Sequence, residues 1–421
     1  METLIEFYHL NRKEIFKRMD FMQGNLTKQS LKQQRIEKRN LFSTCAVAGG
    51  RIYAFTSFAR LPIKMDLCTG KIRLIEEIEG YSTSFYADTM LNVGDSIFIL
   101  ELNGKGLLQY NINKNACRYF DIGCHEEDWD NYAVFAQYEK YLYIVPRYVD
   151  MFVKINLESG EVQKGRKLYS TQNTYKIDRK QEKKSYFWFG CQYEEKLWLF
   201  QKQSNLLVMY DMCKDTWKKY ELSVEINDCV HAVQYNKKIY ILSSEGRIYC
   251  WNILSKTTEL LAVLNEGRTD NAIFSRLAVT DKKIFVLPSL GEKMYVVHLN
   301  TRKIEEYKAY PEDFRYCGQK EWSKYYGYCE DKEFYYFAMR SANYMLCVSK
   351  CDGKESWMKL ELDIQDGDYL RVFQGYNNTA LLREDEWTLK ELTDVNKYKF
   401  YMFKDDNKLG IGKQVWSRLW N

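Results

Sequence analysis

The chain has 421 residues, 46% of them apolar and 16% aromatic, with four prolines and 22 glycines, so it carries ample core material and is neither disordered nor collagen-like. Its formal charge of +5 is uneven, because residues 1–40 hold nine Lys/Arg against five Asp/Glu, a net of +4 that leaves +1 for everything else. A nearly neutral body argues against broad attraction to nucleic acid. The opening METLIEFYHLNRKE is too charged for a secretory leader and no run approaches eighteen apolar residues, so the chain is expected to be cytoplasmic with no membrane span.

Residues 3–22 place Leu4, Phe7, Tyr8, Ile15, Met19 and Met22 at roughly helical spacing, and Gly24-Asn25 then breaks the pattern. Thr27 to Arg39 is a charged run, so residues 1–40 are predicted to be a short helical segment with a linker, its apolar face lying on the body that follows.

From about Leu41 one phrase repeats. Its cleanest copy is Asp228 to Leu264. An apolar run (Val230 to Tyr235) meets a turn (Asn236-Lys237-Lys238), then come a dense run (Ile239 to Leu242), a Ser-Glu-Gly turn, an alternating run (Ile248 to Ile253), and a last run after Ser255-Lys256-Thr257. Four short runs with turn chemistry between them predict a four-stranded antiparallel sheet. The dense run recurs from Ile52, Ile97, Leu142, Leu197, Ile284 and Phe334, and more weakly over Thr379-Ala380-Leu381-Leu382. Successive starts lie 45, 45, 55, 42, 45, 50 and 45 residues apart. A period of this length built from four strands predicts an all-β fold, a β-propeller spanning 41–403, with Tyr369 to Phe403 as a degenerate eighth unit and eight blades preferred over seven.

The first unit, Phe42 to Glu77, contains Gly49-Gly50-Arg51-Ile52-Tyr53, and the fourth contains Tyr210-Asp211 followed by Thr216-Trp217. In these features the chain resembles kelch repeats, although Thr56-Ser57, Gln201-Lys202 and Ser243-Ser244 stand where that family has a double glycine. The resemblance implies a propeller and a binding role without naming a ligand.

Two columns of polar residues recur with the period. After the third run come Asp66, Asn111, Asn156, Asp211, Asn252, His298 and Ser349, each just before a turn whose amides a short polar side chain can bind. His298 is therefore read as a turn residue rather than a base. Five residues before each dense run stand Val47, Asn92, Gln137, Gln192, Gln234, Val279, Cys329 and Gln374, and the amides among them are expected to line a central channel, satisfied by water.

The longer connections are Ile122 to Tyr132, Tyr169 to Phe189 and Tyr310 to Tyr326, all joining a fourth strand to the next first strand. A propeller gathers such connections on one face. They mix aromatics with charge, and the expected ligand contacts are Trp129, Tyr132, Trp188, Arg276, Trp322, Tyr326 and Arg371. Arg276 and Arg371 share a phase with His231 and Tyr326, eight residues before the dense run, so one ring would present planar cations and aromatic faces. The competing account has the acidic stretch Glu126 to Asp130 pairing with the basic one from Arg179 to Lys184, while the aromatics merely pack the loops. The tail, 404–421, ends in VWSRLW, with Trp416 and Trp420 one helical turn apart.

Catalytic patterns are missing from the linear sequence. None of His9, His125, His231 and His298 sits in a nucleophile-and-base arrangement, adjacent acids such as His125-Glu126-Glu127-Asp128 cannot converge on one ion, and Gly410 to Lys413 lacks the spacing of a phosphate loop. The twelve cysteines form no C-x-x-C, and reduced thiols without disulfides are expected. The reading is therefore a monomeric, non-enzymatic binding or scaffold propeller that takes a partner protein or glycan on its loop-rich face and needs no cofactor or metal. Its rivals are a carbohydrate hydrolase or lyase using Glu126, Asp128, Glu312 or Asp313, and an adaptor acting through the first helix.

Overall fold

The computed structural model of the protein describes residues 42–363 except 43, 56–61, 77, 82–86, 102–105, 123–131, 147–150, 168–174, 177–183, 186, 188, 202–203, 227–228, 265–272, 292, 317–324 and 340–341. Among these residues the chain forms seven four-stranded antiparallel sheets, one for each strong repeat, together with a short ladder between Tyr175–Lys176 and Lys184–Ser185. Blades 1 to 7 occupy residues 45–74, 87–121, 132–167, 189–226, 229–263, 274–306 and 325–359. Each blade is a meander, its strands hydrogen-bonded in chain order from the first, innermost, to the fourth, outermost.

The dense run is the second strand in every blade, and its composition follows from its surroundings. Ile239 to Ser243 is buried at every position, as is Ile52 to Ala54, because both faces of a blade meet a neighbouring blade. Outermost strands alternate instead: Lys71–Leu74 runs exposed, buried, exposed, buried. Two-residue hairpins join first to second strands where both turn residues accept positive φ, with Gly49 and Gly50 at 54° and 71° and Asn236 and Lys237 at 47° and 59°. The short polar column does what its chemistry requires. Asp66 Oδ1 accepts from the amides of Cys68 (3.0 Å) and Thr69 (2.9 Å), Asn156 Oδ1 from those of Glu158 (2.9 Å) and Ser159 (3.2 Å), and Asn252 Oδ1 from those of Leu254 (2.9 Å) and Ser255 (3.1 Å).

Seven blades close the ring, which corrects the expected eight. The first strand of each blade packs against the next, and that of blade 7 packs against that of blade 1. Beyond its fourth strand, blade 7 continues into Glu361–Leu362, which pairs in parallel with Lys71–Leu74 of blade 1. The Glu361 amide donates to Gly70 O (3.0 Å), that of Asp363 donates to Ile72 O (2.8 Å), and Arg73 adds an ion pair to Asp363 (2.8 Å). Blade 1 hands over to blade 2 in the same way, the Glu79 amide donating to Asn115 O (3.2 Å) and the Cys117 amide to Glu79 O (2.7 Å). Blade 1 thus stands where an eighth blade would have to enter. The weak run Thr379 to Leu382, counted as an eighth unit, lies outside the described residues. The described residues contain strands and turns but no helix, and the expected N-terminal helical segment, 1–40, lies outside them.

Blade 7 also corrects the register read from the dense runs. Phe334 pairs with Ser349 as Lys238 pairs with Asn252 and Arg51 with Asp66. Tyr335, not Phe334, is therefore the equivalent of Ile239 and Ile52. The innermost position equivalent to His231 is then Gly327, which faces Ala338 as His231 faces Leu242. The ten cysteines among the described residues are all free, and Cys329 meets Cys45 across the seam of blades 7 and 1, where burial pushes its thiol pKa well up.

Candidate functional site

In a meander blade the connections from fourth to first strand and from second to third strand share one face, and the tight turns share the other. The described strand ends on the first of these faces meet around the channel. Five first strands carry a register shift close to that end: between Ala87 and Thr89, at Val145/Pro146 opposite Tyr132, between Cys229 and His231, between Phe274 and Arg276, and between Tyr325 and Gly327. An extra residue in an innermost strand turns the following side chains inward.

Blades 5 to 7 use this device, and blade 4 adds Phe189 from an unshifted first strand, to gather a compact patch. His231, 3% exposed, lies between Phe189 of blade 4 and Tyr328 of blade 7, with both ring centroids 5.4 Å from its own. Its Nδ1 accepts the Leu277 amide of blade 6 at 3.0 Å, which leaves the proton of the neutral ring on Nε2. Arg276, one residue before Leu277, is half-buried beside it and donates from Nη1 to Ser275 O (3.0 Å). Burial, and secondarily the Arg276 guanidinium, push the His231 pKa well below its ordinary value. Burial, followed by the charge of Glu330, raises that of Tyr328. The patch offers a planar cation, a neutral imidazole and two aromatic rings, a set suited to holding a ligand; His231 is neutral and already committed through Nδ1.

One consequence is measurable. Because the folded His231 resists protonation while the unfolded one takes a proton near pH 6.5, stability present above that pH is lost as pH falls below it, by up to about 1.4 kcal/mol per pH unit for one such group. Carboxylates held low by partners, such as Glu305 beside Lys303 and His298, act in a more acidic window. His231→Asn, whose Oδ1 can still accept the Leu277 amide, is expected to flatten the slope of unfolding free energy between pH 6.5 and 5 by one proton. An unchanged slope in denaturant titrations would show that His231 is not the group responsible.

Of the expected contacts, Arg276 is the one whose side chain lies among the described residues, and it joins His231 at the common register as anticipated. Tyr326 does not share that register, being the extra residue between Tyr325 and Gly327 in blade 7. Tyr132 starts the first strand of blade 3 and its side chain is outside the described set; Trp129, Trp188, Trp322 and Arg371 lie wholly outside it. Phe189 and Tyr328 were missed. Counting back from the short polar column, fifteen residues from Ser349 to Phe334 as from Asp66 to Arg51, corrects the blade 7 register from sequence alone.

Other expectations resolve into structure. Gln192 is exposed and also holds the neighbouring blade, its Nε2 donating to Gln137 O (2.7 Å) and its Oε1 accepting from Gln137 N (3.3 Å), as a strand backbone would. Asp313 accepts from Tyr344 Oη (2.5 Å) and pairs with Lys359 (2.5 Å); the Lys359 contact first and then Tyr344 lower its pKa, the opposite of what a general acid needs. In the connection leading to blade 7, Tyr310 and Phe314 stack around Trp357 at 5.4 and 5.3 Å, and the Trp357 indole donates to Tyr307 Oη (3.0 Å) and Ala309 O (3.1 Å). There the aromatics do pack the loop itself. His298 sits at a strand end with Nε2 3.0 Å from Glu305 Oε2. Among the described residues no group of three or more His, Cys, Asp or Glu is placed to hold a metal ion, and no helix is long and apolar enough to cross a membrane.

No protein-family model matches the chain, and neither does any curated protein sequence. Solved structures do. PorZ, an essential bacterial surface component of the type-IX secretion system of Porphyromonas gingivalis, superposes with a TM-score of 0.50 at 12% identity over 76% of this chain, which spans 38% of the PorZ chain. BamB from Moraxella catarrhalis gives a TM-score of 0.44 at 13% identity, covering 75% of this chain and 81% of its own. The computationally designed protein Ika8 gives 0.48 at 10% identity, covering 76% and 87%. At 12% identity the likeness to PorZ concerns the fold alone.

Proposed function

We propose that the protein is a non-enzymatic binding or scaffold propeller of the cytoplasm, kelch-like in organisation, which holds a partner protein or a glycan on the face of its fourth-to-first-strand connections. The observation that carries this reading is the patch of Phe189, His231, Arg276 and Tyr328, contributed by four consecutive blades at the inner ends of that face. Aromatic rings and an arginine in one partly buried cluster are the residue types that dominate binding energy at interfaces. Trp129, Trp188 and Trp322, in the sequence between successive blades, and Arg371, in the sequence after blade 7, are of the same residue types, and the free cysteines of the described residues accord with a reducing compartment.

The test uses the full chain with Trp129, Trp322 and Arg371 replaced by Ala, alone and together with Arg276→Ala, followed by glycan-array binding and quantitative affinity enrichment. Thermal melting checks folding. Retention of the partner or glycan is expected to fall more than tenfold in folded variants. Unchanged binding in a folded quadruple variant would remove this face as the recognition surface.

A further inference from the structure

The opposite face, formed by the tight turns, holds a second feature. Between blades 5 and 6 the sheets part around a cavity of about 310 Å³, within the range of small-molecule sites. On the face that each blade turns to its successor, a large second-strand side chain stands beside a third-strand partner: Trp198 beside Met209, Tyr143 beside Lys154, Phe98 beside Gln109. In blade 5 the pair is Tyr240 and Cys250, as it is Tyr336 and Cys347 in blade 7; in blade 5 both residues line the cavity, and Met, Lys or Gln in place of Cys250 would reach into it.

The cavity is framed by bonds that fix its shape. Arg302 of blade 6 pairs with Glu259 of blade 5 on one side, and Asn236 Nδ2 donates to Asp281 Oδ1 (2.8 Å) on the other. Tyr235 Oη donates to Lys350 O (3.1 Å), holding its ring in place. Inside this frame Tyr240, Lys238 and Asn300 line the space. Burial, and then the neighbouring Cys250, Tyr235 and carboxylates, raise the Tyr240 pKa, so this hydroxyl remains a donor.

The chemistry of the lining selects a ligand class. Lys238 and Arg302 balance Glu259 and Asp281, so there is no net pull on a charged molecule. Carboxylates, amides, cations and a phenol together are best answered by groups that both donate and accept, which hydroxyls do. Leu261 and Leu299 supply apolar wall for the face of a ring. We propose that the cleft between blades 5 and 6 binds a neutral, polyhydroxylated molecule of monosaccharide size, at a site separate from the recognition face.

The experiment is saturation-transfer NMR on the full chain with glucose, galactose, mannose and N-acetylglucosamine, each titrated to tens of millimolar. At least one is expected to bind. Tyr240→Phe, which keeps the ring and removes the hydroxyl, is expected to weaken that binding about fivefold to tenfold. Cys250→Met, which fills the gap as Met209 does in blade 4, is expected to abolish it, and melting curves show whether each variant is folded. Absence of signal from all four sugars on the folded wild type overturns the proposal. So does binding that survives unchanged in folded Tyr240→Phe or Cys250→Met, since such a signal would come from elsewhere, including the recognition face.

Discussion

Replacing Gly327 by Ala is expected to destabilise the protein by about 3 kcal/mol or more, lowering the melting temperature by roughly 5 °C for a domain of this size. The first strand of blade 7 passes so close to blade 1 that a Cβ on Gly327 would stand 1.7 Å from the carbonyl oxygen of Phe42 and 3.0 Å from Ala338 Cβ. A backbone oxygen cannot swing aside as a side chain can, so the seam that closes the ring has to open. Gly94→Ala is the matched control. That glycine has a φ of 58° but open space around its would-be Cβ, so the substitution carries only the left-handed penalty of about 1–2 kcal/mol. Equal melting temperatures for the two variants would mean that the seam between blades 7 and 1 does not hold the ring.

Trp198→Ala is expected to cost about 4 kcal/mol. Trp198 of blade 4 and Trp251 of blade 5 are 1% and 0% exposed, with ring centroids 4.8 Å apart and Tyr220 5.6 Å from Trp198, so truncation leaves a cavity that two closed sheets cannot collapse to fill. Trp198→Phe should cost much less, under about 1.5 kcal/mol. The reason is that neither indole N–H has a hydrogen-bond partner among the described residues, and removing a buried unsatisfied donor offsets part of the lost packing. Chemical denaturation of both variants measures the difference. A phenylalanine variant as unstable as the alanine one would show that the indole N–H makes an interaction worth keeping.

The blade was legible in the repeats. Ile239 to Leu242 and its cognates are apolar at every position because a strand between two blades has no wet face, and Asp66, Asn156 and Asn252 recur because each third-to-fourth-strand turn needs an acceptor for its amides. Both are local demands, repeated with the period and visible as composition. His231 and Arg276 were legible together because they fall at one phase of two adjacent repeats with equal turn lengths. Tyr328 and Phe189 were not, since nothing local marks an innermost side chain whose partner lies one or two blades away.

Only the tertiary structure decided the number of blades. Ring closure is a contact between residues nearly three hundred positions apart, Glu361 on Gly70 and Arg73 on Asp363, and a weak eighth run carries no information about whether that contact has already been made. The cleft of blade 5 belongs to the same class. Cys250 reads in sequence as one more buried small residue, like Cys347 at the same position of blade 7, and that it lines a cavity follows from how blade 6 packs on blade 5, with Asn236 on Asp281 and Arg302 on Glu259 at its rim. Side-chain volume is written locally, whereas the gap it must fill is set by the packing of whole sheets.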